Sequence, residues 1–530
     1  MLKSIFIVLN CIFLIPCFGQ KSVSGGALKP EQAVMDIRHY TLNLDVSPET
    51  KSYKGFTEIR LNLTSSSGRL LFDLDSRFTV SRIWVNGKTK AFTHKNNMVE
   101  ILSDPAYAPG KMVVKIEYGG TPMIAKRPPW DGGIQFTKDS LGRDWIAMSC
   151  QSDGAQIFFP CKDHPSDEPN EGADVIITVP KGLVVAGPGM LIKTSSSGKK
   201  STFHWKTNYT ISNYCILFNV AYYKVVTRSY TTVNGTKTPM QYYVLDYNLP
   251  RADQLMDILE RSARLLEKYF GEYPWAKERI GVSETPHLGM EHQTNIAYGN
   301  KYRYTKVGSV DFDWLLHHEF GHEWWANKVS NKDWAHMWIQ EGICSFGDAL
   351  FYEDYGGKQV YLDRMKNIAI QTENKLPVVQ GEVVDSRQTY QGDIYGKGAF
   401  FMHTLRYVLG DSVFFPALKG FINDPKYTYD NMVTTNDLML YFNTASKMNL
   451  KPLFDLFIYS TDRLSITVKQ TGLNTYKVSL GNMDMNLPLE IMTDAGKQKI
   501  VVGKKAVDIK STIIPVIDPD SYYLKKLTLE

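Results

Sequence analysis

The chain has 530 residues, of which 43% are hydrophobic and 22% are charged, proportions typical of a soluble globular protein. This length exceeds what one hydrophobic core supports and predicts about three or four structural units. The formal net charge of +5 is small and dispersed, which argues against nucleic acid as a partner.

Residues 1–19 predict a secretory signal peptide. Lys3 supplies a positive charge, residues 5–15 are almost wholly apolar, and Gly19 offers a small residue before the cleavage point. The mature protein is therefore expected in the periplasm or outside the cell. Acylation of Cys17, as in a lipoprotein, is an alternative that the preceding proline disfavours. No later segment is long and apolar enough to cross a bilayer.

Cysteine usage indicates neither a disulfide framework nor a thiolate metal site. The cysteines beyond the leader are Cys150, Cys161, Cys215 and Cys344. A bridge between Cys150 and Cys161 is left open by the sequence. Cys344 is interpreted as a small buried apolar side chain rather than as a ligand.

An all-β domain is predicted over residues 20–224. Short segments at 40–46, 57–63 and 112–118 alternate between apolar and polar residues. Turn residues recur between such segments about every ten positions, a spacing typical of a sandwich or a curved sheet.

A mainly helical domain is predicted over residues 225–461, because apolar residues between 252 and 269 recur at helical spacing. Alternation returns at 465–469 and 475–480, which predicts a small β domain over residues 462–530. The expected fold class is therefore α+β with several domains.

The helical domain contains an H-E-x-x-H motif. His318 and His322 are four residues apart in a predicted helix, so both imidazoles lie on one face and can share one Zn²⁺. Glu319 is rotated by about 100° around the helix axis, so it can face a water held on that ion. Glu341, at the start of the next apolar-periodic segment, is the best third ligand and leaves the fourth position open for catalysis.

A competing interpretation treats these histidines as buried, hydrogen-bonded residues without a metal, and the carboxylate on the following helix weakens it. His317 is also a ligand by type. No histidine follows it four residues later, so we predict that it packs in the core or supports the ligands from behind. Asp311 and Asp313 mark the expected start of the helix.

Three segments resemble a known family. Residues 318–327 read HEFGHEWWAN, residues 338–342 read WIQEG, and residues 288–292 read LGMEH. Together they resemble the aminopeptidase N type of zinc peptidase, a family that also includes leukotriene hydrolases. That family carries a G-x-M-E-N strand before its zinc helix; the methionine and glutamate match here, whereas Leu288 and His292 depart from the pattern.

The resemblance implies how a substrate would bind. Glu291 would bind the free α-ammonium group by charge-assisted hydrogen bonds. Gly289 and Met290 on the same strand would contact the substrate. Gln151 resembles a glutamine that the N-terminal domain of the family lends to the substrate pocket.

The resemblance also implies two supporting roles. Tyr395, in the segment IYGKGA, resembles the tyrosine of the family's Y-E-K-G-A, which donates a hydrogen bond to the tetrahedral oxyanion. Gly396 replaces the glutamate of that pattern. Asp348 matches an acidic residue that orients a ligand imidazole, and an exposed helix carboxylate is the alternative.

The expected activity is removal of N-terminal residues from peptides, with one Zn²⁺ as cofactor and Glu319 as general base. The resemblance implies a thermolysin-like catalytic domain in a short member that lacks the large helical C-terminal domain of longer relatives. A monomer is expected, and the sequence leaves an oligomer open. A zinc endopeptidase shares every metal residue and is the main alternative. Epoxide hydrolysis is a further activity of the family, and a catalytically inactive peptidase-like binding protein is the alternative from another class.

Overall fold

The computed structural model describes residues 22–530. The predicted leader over residues 1–19 and the alternative acylation at Cys17 lie outside these residues and stay predictions. None of the helices in residues 22–530 is long and apolar enough to span a membrane. Cys150 and Cys161 are buried free thiols, as are Cys215 and Cys344, so the bridge left open by the sequence is not formed.

The N-terminal part is built almost entirely of strands, because its apolar residues recur at every second position and give each sheet one buried face. A single helical turn, α1 (Pro30–Ala33), precedes them. The strands are β1 (Met35–Ser47), β2 (Ser52–Leu63), β3 (Ser67–Asp73), β4 (Phe78–Val85), β5 (Lys88–Lys90), β6 (Thr93–Lys95), β7 (Met98–Tyr107), β8 (Gly110–Gly120), β9 (Gly133–Lys138), β10 (Asp144–Ser149), β11 (Ala173–Pro180), β12 (Val184–Ala186), β13 (Met190–Ser197), β14 (Lys200–Thr207) and β15 (Asn219–Ala221).

These strands form three sheets. The largest has the order β13-β14-β11-β1-β2-β8-β4-β5, and smaller sheets have the orders β12-β15-β10-β9 and β3-β7-β6. Within the large sheet β1 pairs antiparallel with β2 and parallel with β11. The sheets enclose a common hydrophobic core that includes Tyr40 and Trp205. The predicted β segments at 40–46, 57–63 and 112–118 lie in β1, β2 and β8.

The central part combines a small sheet with helices that pack beside it. Its strands are β16 (Tyr223–Thr231), β17 (Lys237–Leu245), β18 (Ile280–Glu284), β19 (Gly289–Met290), β20 (Ile296–Tyr298), β21 (Thr305–Val307) and β22 (Val310–Phe312). Its helices are α2 (Ala252–Phe270), α3 (Trp314–Gly321), α4 (Trp338–Gly356), α5 (Lys358–Gln371), α6 (Ser386–Thr389), α7 (Gly396–Leu409), α8 (Asp411–Phe421), α9 (Thr435–Ser446) and α10 (Lys451–Phe457). The sheet has the order β16-β17-β18-β20-β19, which leaves the short strand β19 at one edge.

The C-terminal part returns to strands. They are β23 (Leu464–Gly472), β24 (Thr475–Leu480), β25 (Leu487–Thr493), β26 (Gly496–Val502), β27 (Val507–Lys510), β28 (Val516–Ile517) and β29 (Lys525–Leu529). They form sheets with the orders β27-β24-β23-β29 and β26-β25-β28. Tyr522 stacks on Tyr407 of α7 with ring centroids 3.7 Å apart, and the apolar residues of this part join the core of the helices.

The predicted fold class is confirmed: a β-rich N-terminal part, a helical central part and a small β part follow one another. The predicted boundary at residue 224 lies within β16, and that at 461 lies between α10 and β23. The exact boundaries stay predictions.

Arg279 connects the N-terminal sheets to the central sheet. It lies directly before β18 and its side chain is fully buried. Its Nε donates to the carbonyl of Gly189 at 2.7 Å and its Nη2 to the carbonyl of Gly187 at 2.5 Å. Its guanidinium also lies 4.5 Å from the ring centroid of Trp205. Both carbonyls belong to the turn between β12 and β13, so one side chain satisfies two buried acceptors of another part of the fold.

We expect Arg279→Met to lower the free energy of unfolding by about 3 kcal/mol, because two buried carbonyls lose their donors. The measurement is denaturant unfolding followed by tryptophan fluorescence. Arg264→Met is the matched control, since Arg264 is 53% exposed and pairs with Glu260 on the surface. Equal unfolding midpoints for the two variants would contradict this account of Arg279.

Candidate metal and peptide site

The helix α3 carries two histidines on one face. Asp313 caps it by accepting a hydrogen bond from the Leu316 amide at 3.1 Å, in agreement with the helix start predicted near this residue. The helix is short, and His322 is the residue that follows its last turn. Its φ of −66° and ψ of −15° keep it in the helical region. The two imidazole rings are therefore neighbours, with centroids 4.8 Å apart.

Three buried donor atoms converge where the motif predicts a metal. The Nε2 atoms of His318 and His322 are 3.2 Å apart. Glu341, in the first turn of α4, places its Oε2 3.4 Å from His318 Nε2 and 3.3 Å from His322 Nε2. A tetrahedral zinc with Zn–N distances of roughly 2.0–2.1 Å holds its ligand atoms at roughly this separation. Among residues 22–530 this is the cluster of His, Cys, Asp and Glu side chains able to hold a metal ion.

The hydrogen bonds to the Nδ1 atoms of the two imidazoles leave their Nε2 atoms free to bind a cation. His318 Nδ1 lies 2.9 Å from Asp348 Oδ2, and His322 Nδ1 lies 2.9 Å from the carbonyl oxygen of Trp325. Both partners are acceptors, so each neutral ring carries its proton on Nδ1. The two Nε2 lone pairs then face a carboxylate oxygen with no proton between them. A divalent cation fits this arrangement, and Asp348 occupies the orienting position predicted for it.

The charges around the triad favour positive charge at its centre. Burial lowers the pKa of His318, but Asp348 and Glu341 outweigh it and bring that pKa well above its usual value. Burial raises the pKa of Glu341, but His322 and His318 outweigh it and hold that pKa well below its usual value. Bound Zn²⁺ would supply the positive charge that these groups otherwise draw from protons.

Two neighbouring residues that resemble ligands are not part of the triad. His317 is fully buried between the rings of Phe312 and Phe351, as its predicted packing role requires. Cys344 places its Sγ 3.3 Å from His322 Nδ1, on the side of the ring away from Nε2. It therefore supports the imidazole from behind, together with the Trp325 carbonyl.

Glu319 lies beside the triad on the wall of a cavity of about 310 Å³, the metal cavity. Strand β19 passes close to it. A Cβ at Gly289 would lie 2.7 Å from Glu319 Oε1, so only glycine leaves room for the carboxylate there. Burial and the negative charge of Glu291 raise the pKa of Glu319 to about 8. A metal ion on the neighbouring ligands would act in the opposite direction and favour the ionised carboxylate.

Glu291 is held in the same cavity by side chains from the N-terminal part. Its Oε1 accepts hydrogen bonds from Gln151 Nε2 at 2.5 Å and from Tyr214 OH at 2.9 Å. Its backbone carbonyl accepts one from Asn327 Nδ2 at 2.9 Å. His292, which departs from the family pattern, is fully buried and does not line the cavity.

Tyr395 precedes α7 and directs its phenol at the third metal ligand. Its OH donates to Glu341 Oε1 at 2.9 Å. Tyr390 forms a short hydrogen bond with the Tyr395 hydroxyl and lies 3.3 Å from the same carboxylate oxygen. The two oxygens of Glu341 therefore have separate partners: Oε2 faces the imidazoles and Oε1 faces the phenols.

The structure brings every predicted site residue to the metal cavity. These residues are Gln151, Gly289, Met290, Glu291, His318, Glu319, His322, Glu341, Asp348 and Tyr395. Sequence reasoning missed Tyr390, Trp130 and Arg364 on the cavity wall, and Tyr214 behind Glu291. The segment IYGKGA resembles a family motif, which identified Tyr395. The four missed residues lie in no such motif, and their spacing does not distinguish them from core or surface residues.

Comparisons with known proteins agree with this geometry. Residues 254–457 match the peptidase family M1 domain. Aminopeptidase M1-B of Oryza sativa subsp. japonica is 23% identical over 401 residues, which cover 71% of this chain and 43% of that protein. Aminopeptidase N of Escherichia coli is 26% identical over 219 residues, which cover 38% of this chain and 25% of that protein. The chain thus spans less than half the length of these two curated relatives.

A solved structure has the same fold. It is that of a mutant M1 zinc metallopeptidase from Deinococcus radiodurans bound to a Tyr-Ser-Ala substrate. The two chains are 21% identical and superpose with a TM-score of 0.67 over 83% of this chain and 96% of that one. The fold and the His/His/Glu cluster are similar to those of a zinc metallopeptidase. Residues 254–457 match the peptidase family M1 domain, the aminopeptidase N family that the motifs resemble, and zinc is the cofactor that this family implies.

We expect Asp348→Asn to weaken zinc binding by roughly 10- to 100-fold, because the His318 ring loses its charged partner. The measurement is competition for zinc against a chromophoric chelator. Asp354→Asn is the matched control on the same helix, since Asp354 binds Lys268 and Tyr269 instead of a histidine. Unchanged zinc affinity in Asp348→Asn would show that the Asp348 carboxylate does not strengthen zinc binding by His318.

Proposed function

We propose that this protein is a zinc-dependent aminopeptidase that hydrolyses the N-terminal peptide bond of peptides. The observation that carries the proposal is Glu291, a carboxylate that is only 3% exposed yet lines the same cavity as the metal triad. A buried carboxylate needs a partner, and a free ammonium group provides a charge-assisted one. An endopeptidase substrate has no free amine at this point, so it would leave the carboxylate without a charged partner.

The two donors on Glu291 support a binding role rather than a packing role. Gln151 and Tyr214 both bond Oε1, which fixes the plane of the carboxylate relative to the metal cavity. Burial raises the pKa of Glu291, and a substrate ammonium group would reverse that effect by pairing with the charged form. A peptide bound in this way has its first peptide bond nearest to the triad.

Bound zinc would polarise the scissile carbonyl and lower the pKa of a nearby water. Glu319 is the general base that takes a proton from this water as it attacks the carbonyl carbon. The same side chain then holds the proton until it passes to the leaving amine.

Tyr395 is the donor that stabilises the developing oxyanion. Burial and the charge of Glu341 raise its pKa, so the phenol keeps its proton and remains a donor. Its present bond to Glu341 Oε1 places the hydroxyl beside the triad. Tyr390 supports this position from behind through the hydrogen bond between the two phenols.

We expect Glu319→Gln to keep stoichiometric zinc but to lower kcat on aminoacyl-anilide substrates by about 10²- to 10⁴-fold, because an amide cannot accept the proton. The measurements are metal content and steady-state kinetics. Glu260→Gln on the exposed surface of α2 is the control for handling and folding. A kcat within about twofold of wild type would exclude Glu319 as the base.

We expect wild-type protein to cleave a free-amine peptide faster than its N-acetylated form, and Glu291→Gln to reduce that preference by roughly 10- to 100-fold. The glutamine keeps the shape of the side chain and removes its charge. A hydroxamate inhibitor that lacks an amine is the internal control, and its Ki should stay unchanged. Internal cleavage of the acetylated peptide at the free-amine rate would indicate a zinc endopeptidase, and no turnover by the zinc-loaded protein would indicate an inactive binding protein.

A further inference from the structure

Trp130 is a large aromatic side chain that packs into neither hydrophobic core. It is 48% exposed and is absent from both core clusters of residues 22–530. Single exposed apolar residues are common on protein surfaces, so exposure alone says little. Its position is unusual, because it lies on the wall of the metal cavity.

A second cavity of about 550 Å³, the side cavity, adjoins the metal cavity. Trp130 and Tyr390 line both cavities, so the two spaces meet along these rings. Ser152 and Asp153 also line the side cavity, and they directly follow Gln151, the donor to Glu291. The side cavity is therefore lined by the segment that directly follows the residue orienting Glu291, the carboxylate that the proposed function assigns to the substrate amine.

The substrate's covalent geometry determines what faces this opening. The amine of the first residue lies at Glu291 and its carbonyl lies at Glu319 and Tyr395. One Cα joins the amine to the carbonyl, so its side chain projects from a point between them. We propose that the side cavity receives the side chain of the N-terminal residue, and that Trp130 makes the enzyme select large aromatic residues there. This inference rests on the proposed function.

The charged side chains that line the side cavity argue against selection of a charged substrate residue. It is lined by two arginines and two aspartates, and these are engaged with their surroundings. Arg127 Nε lies 3.3 Å from Asp131 Oδ2, and Asp153 Oδ2 accepts from the Gly132 amide at 2.6 Å. Arg387 Nη2 donates to the Ser22 carbonyl at 2.6 Å. A charged substrate side chain gains no unopposed partner here.

The aromatic side chains that line the two cavities favour a substrate whose N-terminal side chain is large and aromatic. Trp130 and Tyr390 offer two ring surfaces at the junction of the cavities, and Met290 adds an apolar contact on the metal side. Aromatic rings pack on one another with a gain beyond their buried area. A larger apolar side chain also removes more surface from water. Phenylalanine should therefore bind better than alanine, lysine or glutamate.

The test is kcat/KM on aminoacyl-anilides of Phe, Ala, Lys and Glu for wild-type protein and Trp130→Ala. We expect wild type to prefer Phe over Ala by roughly 10- to 100-fold. Trp130→Ala should lower the Phe value by about tenfold and leave the Ala value within about twofold. Trp84→Ala is the control, because Trp84 lies on β4 and lines neither cavity.

Two results would overturn the proposal. One is equal kcat/KM on Phe and Ala in active wild-type protein, which leaves the aminopeptidase function standing. The other is a preference for Phe that Trp314→Ala removes and Trp130→Ala does not, since Trp314 is 45% exposed and lines only the metal cavity.

A binding experiment separates this inference from the proposed function. Zinc-loaded Glu319→Gln protein is titrated with Phe-Ala and Ala-Ala dipeptides by calorimetry, with and without Trp130→Ala. We expect tighter binding of Phe-Ala that depends on Trp130, whether or not the wild type turns over. Equal affinity for the two dipeptides would reject the role of Trp130 independently of catalysis.

Discussion

The hydrogen bonds to the Nδ1 atoms of His318 and His322 determine how the whole site works. Because Asp348 and the Trp325 carbonyl both accept, each ring must carry its proton away from the cavity. The two remaining lone pairs meet Glu341 Oε2 at distances of 3.3–3.4 Å. Without a metal ion these groups draw protons instead, and with one they form a ligand set. The helices α3 and α4 and the backbone after His322 are all needed to maintain it.

The site also depends on contacts between parts of the chain that are far apart in sequence. The metal ligands come from the helical part alone, whereas Glu291 takes its orientation from Gln151 and Tyr214 of the N-terminal part. Arg279 strengthens the same junction through the turn between β12 and β13. The core of the helices continues into the C-terminal strands, so the catalytic part is supported from both ends.

Much of this architecture could be predicted from local patterns. Alternation identified the strands at both ends of the chain, and α2 was expected at 252–269 and found at Ala252–Phe270. Its end follows from Gly271, whose φ of +94° suits a residue without a Cβ. The two histidines of the metal triad were predictable because i, i+4 spacing on a helix fixes the relative position of two side chains. Glu341 was predictable as a carboxylate at the start of the next helix. The resemblance to a family supplied Glu291, Gln151 and Tyr395, which spacing alone does not link to the triad.

The remaining residues could not be predicted, because tertiary packing alone brings them together. Tyr390 lies in the short connection between α6 and α7, where no periodic pattern assigns a direction to its ring. Tyr214 reaches Glu291 from a short helical turn across the junction. Trp130 precedes β9 in a loop of the N-terminal part, and the composition of the loop gives no sign that it meets a metal cavity.

The metal ligands and the groups proposed to bind the peptide end come from different parts of the fold, so substitutions can affect them separately. The groups proposed to hydrolyse the bond belong to one part of the fold, and the groups proposed to recognise the end of a peptide depend on two. A substitution in the loops of the N-terminal part can therefore alter which peptides are accepted while the hydrolytic apparatus stays intact. Under the proposed function, substrate range is therefore the property of this scaffold that substitutions can alter without touching the metal ligands.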